Sequence, residues 1–418
     1  MSRPLTALLS LRVLLAIGAI ALGFKHISDD DYARIVIAQS FAETPRLDPS
    51  GTSWLPAPFW ITGTSMRLGS LAPSIARYVT LGLTLLATTL LWDTARKRIG
   101  DRSAAVGILA VSLLPWSVWT SIASPPEGFT MLLLAAAIFD LGNDRPSPLV
   151  SSGLLLATLS RYEAWFLVPI YSSRFFFTRP FSISRSRIWA LFPALGPLFW
   201  LGMNRISHGD SLHFVARVSR FHERASASST FPGNALSPYF EALVNLSPLV
   251  TPLAVALVIA SVWKRQWRIE LFSVFFVLLA LVVSGASHGA PTHHFERIVL
   301  FVPWVLFPLA AAWIADALKR LPSERASWGL ALLPLLALVL GMREERQFPG
   351  QGADNRDEAL ALGESLRAKQ ENFQVTPCAY EHFATIAAAR KPEAFEITPP
   401  NATSPSCPTR PLLRRKGQ

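Results

Sequence analysis

Charge is what this sequence lacks most. Only 16% of its 418 residues are Asp, Glu, Lys or Arg, against about 25% in soluble domains. With 51% hydrophobic residues, that shortage excludes a chain organised around an ordinary soluble core. Cysteine is nearly absent. Cys378 and Cys407 are the whole supply, and no CxxC or Cys/His metal spacing exists. The two thiols can pair if the tail lies in an oxidising compartment, or stay unpaired if it does not. The P-loop, GxGxxG and HExxH patterns are missing, which argues against a nucleotide-driven pump. A basic stripe with interleaved aromatics is missing too, so the net charge of +11 does not indicate nucleic acid.

What is present is a series of apolar runs. They cover Leu8–Phe24, Pro73–Trp92, Ser103–Ile122, Phe129–Leu141, Leu149–Phe177, Ile188–Met203, Leu246–Trp263, Ile269–Ser284, Ile298–Leu318 and Trp328–Gly341. An untilted span needs about 20 residues, and several runs are shorter. The pattern predicts an all-α polytopic membrane protein of about ten or eleven spans. The 13 Trp and 26 Phe suit a chain with many membrane interfaces.

Loop charges give the bundle a direction. Arg96–Arg98 with Arg102, Arg179 with Arg185 and Arg187, Lys264-Arg265 with Arg268, and Lys319-Arg320 with Arg325 form compact basic loops. Such loops belong on the cytoplasmic side. The N-terminus is then inside, and the loop 25–72, the stretch 205–244 and the stretch 285–297 are outside. This count closes if Arg161-Tyr162-Glu163, which interrupts the fifth run, is an exterior turn between two short segments. Residues 1–342 are read as the membrane domain. Residues 343–418 are read as a small exterior α/β domain, with an amphipathic helix over 354–370, strands near 373–378 and 394–397, a helix over 381–389, and a Pro-rich, basic, disordered end.

The first exterior loop opens with Ser28-Asp29-Asp30-Asp31-Tyr32. Adjacent carboxylates repel, so one of the three can carry a raised pKa and serve as a general base. A carboxylate pair can also bind a divalent cation. The plainer reading is a helix start. Ser28 would be the N-cap, Asp31 its capping-box partner, and Asp30 would pair with Arg34 on the surface. Capping accounts for Asp31 best and for Asp30 least.

Other candidates lie at span ends. Arg161 and Glu163 sit where ionisable groups are costly and therefore usually functional; locally, they could simply pair with each other at an interfacial turn. Glu127 opens a run behind Pro125-Pro126, a position that also suits a plain helix N-terminus. His288, His293, His294, Glu296 and Arg297 crowd one loop, without the helical spacing of zinc motifs. His208, His213, Arg217, Arg220 and His222 mark a basic interfacial segment that could cover a site.

Several of these motifs resemble the GT-C superfamily of membrane glycosyltransferases, in particular its polyprenyl-phosphate-sugar-dependent members such as family 39 and mannosyltransferase-like enzymes. The acidic pair followed by Tyr32 is similar to the superfamily's first-loop motif. Ser53-Trp54-Leu55-Pro56-Ala57-Pro58 resembles its Trp/His-Pro-Pro-type segment, and Ser160-Arg161-Tyr162-Glu163 a recurring Arg-Tyr-Glu element. His294-Phe295-Glu296-Arg297 is a looser match to the opening of a late span, and Pro377–Phe383 looks like part of an appended exterior domain.

The resemblance implies transfer of a sugar, hexose or pentose, from a polyprenyl-phosphate donor to a glycan, lipid or protein acceptor at the exterior face of the cell (inner) membrane. It implies Asp30, or Asp29, as general base. Arg161, Glu163, Trp54, Arg297, His294 and Glu127 would be substrate-binding. No cofactor is expected; a divalent metal is compatible with the pattern but not indicated by it. The competing reading is a transporter or lipid-linked-sugar flippase, which would place ionisable residues at mid-membrane in several spans.

Overall fold

A backbone in hydrocarbon must satisfy its own hydrogen bonds, so apolar runs coil into helices. In the computed structural model, residues 2–177, 185–226, 236–288, 294–320, 323–344, 355–376, 382–397 and 412–415 are described. The first helices are α1 (Arg3–Ala21), α2 (Asp30–Glu43), α3 (Ala57–Leu68), α4 (Ser74–Ile99), α5 (Asp101–Ser112), α6 (Pro115–Trp119) and α7 (Glu127–Asp140). Next come α8 (Pro148–Thr158), α9 (Leu167–Phe176), α10 (Arg185–Leu191), α11 (Leu195–His208), α12 (His213–Ser226), α13 (Ser237–Leu246) and α14 (Val250–Lys264). The membrane part closes with α15 (Arg268–His288), α16 (Phe295–Val299), α17 (Phe301–Ala317) and α18 (Ser323–Glu344).

The protein is an all-α polytopic membrane protein. By length and composition alone, Arg3–Ala21, Ser74–Ile99 and Arg268–Ala286 can each cross a membrane, and α13 with α14 forms a fourth apolar unit bent by 98°. Shorter apolar helices fill the space between them. Every residue of α7 is buried, so this helix is the axis of the bundle. The outward faces are apolar. Phe272, Phe275, Phe276, Leu279 and Val283 form an exposed stripe at helical spacing on α15, and Leu332, Leu335, Leu336 and Val339 form another on α18. Water would not tolerate such surfaces; lipid does.

The Leu149–Phe177 run is a hairpin. α8 is followed by Arg161 and a 3-10 turn over Tyr162–Phe166, and α9 then returns, bringing the Tyr171 hydroxyl to Asp140 at the far end of α7 (2.6 Å). The sequence-predicted break is therefore a turn at the Glu127 end of α7. At the other end, Arg98 reaches Glu270 beside Gly142, and Lys264 and Lys319 share Asp316. Arg98, Lys264 and Lys319 of the basic loops thus lie at the end opposite the acid cluster.

Among the close approaches that need glycine, two lie at α5 and α7. A Cβ at Gly107 of α5 would lie 2.2 Å from the Pro308 Cα of α17. At Gly128 it would lie 2.1 Å from the Thr120 carbonyl oxygen, so Gly128 lets the start of α7 close against the turn before it. Gly128→Ala is expected to destabilise the protein by about 1–3 kcal/mol through overpacking, read as a lower unfolding midpoint in detergent. An unchanged midpoint would show that the turn can yield.

The tail contains α19 (Asp357–Arg367), α20 (His382–Ala389) and a three-stranded sheet of β1 (Phe373–Thr376), β2 (Phe395–Ile397) and β3 (Leu412–Arg415), in the order β2-β1-β3. β1 pairs parallel with β2 and antiparallel with β3. The last strand differs from the sequence expectation of a disordered end. An open edge of β1 offers unpaired backbone groups to any nearby extended segment, and Leu412–Arg415 takes it. Cys378, Cys407 and most of Pro377–Phe383 lie outside the described residues.

The tail rests on α2. Ile35, Ala38 and Ala42 pack with Ala384 and Ala387. The buried Gln39 amide donates to the carbonyls of Leu71 (2.7 Å) and Ala387 (2.8 Å), so one side chain ties α2 to both the following loop and the tail.

Candidate active site

The three consecutive aspartates have three different environments. Asp31 is buried, at 3% exposure. One carboxylate oxygen accepts from the backbone N–H of Ile27 (3.1 Å) and of Ser28 (3.3 Å). The other accepts from the Ser124 N–H (2.8 Å) and hydroxyl (3.3 Å). Burial pushes its pKa up, against the lowering effect of His26 and of these hydrogen bonds. Asp31 is thus a tie between the first loop and the Ser124–Pro126 turn that leads to Glu127. Half of the predicted capping box exists, since Asp31 reaches back to Ser28. The Ser28 hydroxyl makes no cap bond, and Asp29 precedes the first turn instead.

Asp29 turns toward the tail, where both its oxygens accept from Arg356, at 2.8 and 2.9 Å. Asp30 turns the other way. Its carboxylate is 41% exposed and lies 3.6 Å from the buried Arg297 guanidinium. The predicted surface pair between Asp30 and Arg34 does not form. Arg34 points inward, its guanidinium 4.4 Å from the Trp54 ring centre and 5.6 Å from that of Phe59. A guanidinium over an indole face is a favourable cation–π contact, stronger when desolvated.

From Asp30 a chain of charges runs through the site. Arg297 lies 3.9 Å from Glu127. Glu127 lies 3.2 Å from Arg161, and Arg161 donates through Nε to Glu163 at 3.0 Å. Glu127, Glu163 and Arg297 are each about 2% exposed or less. Arg161 at 3.2 Å and Arg297 at 3.9 Å enclose Glu127 with positive charge, so it serves as the anionic link of the chain. Burial lowers Arg34 to about 10, so it stays cationic. Its Nε and Nη1 find no acceptor among the described residues.

The Arg-Tyr-Glu element explains how these parts meet. Arg161 and Glu163 face the charge chain. Tyr162 between them donates its hydroxyl to the Ser53 carbonyl (2.6 Å) and accepts from the Trp200 indole (2.9 Å). The Ala57 N–H donates to the Leu159 carbonyl (3.1 Å). The Trp54 segment is thereby pinned to the α8–α9 turn and set beneath Arg34. Phe214 of α12 stacks on Tyr162, with ring centres 4.8 Å apart, so the predicted interfacial segment does border the site.

Asp30, Glu127, Arg161, Glu163 and Arg297 are brought together, with Trp54 joined through Arg34. His294 packs on the Trp116 ring, 5.7 Å between centres. Asp29 is directed away. Sequence reasoning missed Arg34 as a site residue because its spacing from Asp30 looks like an ordinary surface pair. It missed Arg356 entirely, since nothing local links positions 327 residues apart. Among the described residues, no group of three or more His, Cys, Asp or Glu could hold a metal ion. The spacing Gly285-Ala286-Ser287-His288-Gly289 matches Gly-x-Ser-x-Gly. Its residues Gly285–His288 close helix α15, so a helix leads into the serine where a nucleophile elbow requires a strand.

No protein-family model matches the sequence, and no curated protein matches it. Solved structures do. The chain superimposes on ArnT from Cupriavidus metallidurans bound to undecaprenyl phosphate with a TM-score of 0.57 at 14% identity, covering 92% of this chain and 84% of that one. It superimposes on the Archaeoglobus fulgidus oligosaccharyltransferase, in complex with Zn and sulfate, with a TM-score of 0.54 at 12% identity. There it covers 94% of this chain but only 62% of the larger protein. The chain shares the fold of these two proteins, as its resemblance to the GT-C superfamily implied.

Proposed function

We propose that this protein is a glycosyltransferase that moves a sugar from a polyprenyl-phosphate donor to an acceptor hydroxyl on the exterior face of the cell membrane. One observation carries the reading. A half-exposed carboxylate, Asp30, stands at the open end of a buried charge chain, and beside that chain lies Arg34, a cation whose Nε and Nη1 find no acceptor among the described residues. The GT-C fold and the undecaprenyl phosphate named with its structural neighbour support a lipid phosphate as the anion.

In the proposed reaction, Asp30 takes the proton of the acceptor hydroxyl as that oxygen bonds to the anomeric carbon. The bond from that carbon to the phosphate oxygen breaks, and its electron pair stays on the departing polyprenyl phosphate. Arg34 and Arg297 face the growing negative charge. A preorganised cation in a water-poor site stabilises such charge far better than in bulk water. Glu127 and Glu163 hold Arg161 and Arg297 in place.

The test is a transfer assay with purified protein in liposomes containing labelled polyprenyl-phosphate sugars. Wild type should release polyprenyl phosphate and label an acceptor, and Asp30→Asn should not. Movement of intact donor across the bilayer without release would favour a flippase instead.

The orientation follows from the basic loops, which attract to the cytoplasmic side. In a background with Cys378 and Cys407 replaced by Ser, Leu47→Cys and Leu362→Cys should react with an impermeant maleimide from outside the cell. Lys319→Cys should react only after permeabilisation. The reverse pattern would invert the bundle.

A further inference from the structure

The tail domain contributes Arg356 to the first turn of α2, and it does so at the acid next to the proposed base. The contact is a fork. Nε donates to one Asp29 oxygen at 2.8 Å and Nη2 to the other at 2.9 Å. The Arg356 side chain is 9% exposed and Asp29 22%, so the pair is sheltered from water and salt. Two-point Arg–carboxylate bonding fixes orientation as well as distance. Around it, Lys25 pairs with Asp357, Ser40 donates to Glu393 at 2.9 Å, and Gln39 bonds to the Ala387 carbonyl. Docking of the tail is therefore secured elsewhere along α2, and the fork is not needed merely to hold the domain.

Without Arg356, Asp29 would be an unpaired carboxylate one residue from Asp30. Two adjacent anions repel, and both would be drawn to Arg297. Rotation of the first turn toward Arg297 would put Asp29 into the site and displace Asp30. We propose that Arg356 is a positioning residue of the transfer site. It holds Asp29 against the tail and so fixes the turn in which Asp30 alone presents to the acceptor. This inference rests on the reading of Asp30 as the base. It makes the tail domain part of the active site, although the tail supplies no group to the reacting atoms.

The experiment combines charge removal on both partners with two readouts. Arg356→Ala in the full chain should lower kcat by about 10- to 100-fold, the scale of a misplaced catalytic group, with donor KM within about twofold. Adding Asp29→Asn to Arg356→Ala should recover most of that loss, because the stray charge is gone. A purely structural role for Arg356 would not be repaired by a second change at its partner. Amide exchange over residues 30–34 should quicken about tenfold in Arg356→Ala and slow again in the double variant. The proposal is overturned if Arg356→Ala keeps wild-type kcat, if the double variant is as slow as the single, or if exchange does not change. Asp30→Asn is measured alongside. Full activity in that variant refutes the base itself, a failure the exchange data separate from any failure of the Arg356 contact.

Discussion

Replacing Asp30 with Asn is expected to lower kcat for sugar transfer by about 10²–10⁴-fold, the usual contribution of a general base. The substitution keeps the shape and the approach to Arg297 but removes the proton acceptor. Donor KM should move little, since the proposed role of Asp30 is toward the acceptor. The neighbouring aspartates provide the contrast. Asp29→Asn leaves an oxygen to accept from Arg356 and should cost less than about tenfold in kcat, with no larger effect on donor KM. Asp31→Asn should act mainly on stability. The new amide places an N–H₂ where Asp31 now accepts from Ile27 and Ser28 on one oxygen or from Ser124 on the other. A buried donor facing a donor costs about 1–3 kcal/mol. The ranking Asp30 far above Asp29 in rate, with Asp31 distinguished by unfolding, is the expected result. If Asp29→Asn is the more damaging of the first two, the base has been assigned one residue too late.

The second large effect is expected at Arg161. Its side chain is 12% exposed and its partners Glu127 and Glu163 are nearly sealed. Arg161→Met keeps much of the bulk but strands Glu163 as a buried anion. Breaking a buried pair by removing one partner typically costs about 3–5 kcal/mol. Glu127 still has Arg297 and Arg34 nearby, so Glu163 should carry most of the penalty. Adding Glu163→Gln to Arg161→Met should therefore restore a good part of the stability, measured by denaturant or thermal unfolding in detergent. A loss below about 1 kcal/mol in the single variant would mean that the cluster behaves like a surface pair and is open to water.

The fold was legible because lipid and water demand opposite surfaces. Long apolar runs with basic loops leave few alternatives to a polytopic helical bundle, and the break at Arg161–Glu163 was visible as charge inside an apolar run. The site was legible in part. Arg161, Glu163, Glu127 and Arg297 each stood out as ionisable groups at span ends. Their assembly into one chain of charges did not, because it depends on α7, the α8–α9 turn and α16 arriving at one end of the bundle.

The aspartate triplet marks the boundary most clearly. Its sequence determined that a helix begins there and that three carboxylates crowd its first turn. It also suggested that mutual repulsion could raise one of them; Asp31 is raised, but by burial. Local spacing could not divide the labour among them, and its best guess for Asp30, a pair with Arg34, was replaced by Arg297. The division comes from partners far away along the chain: Ser124 for Asp31, Arg297 for Asp30 and Arg356 for Asp29. Charge acts through space and is indifferent to sequence distance. The residues that could do chemistry were therefore set by the sequence, and which of them stands exposed beside Arg297 was decided by tertiary packing alone.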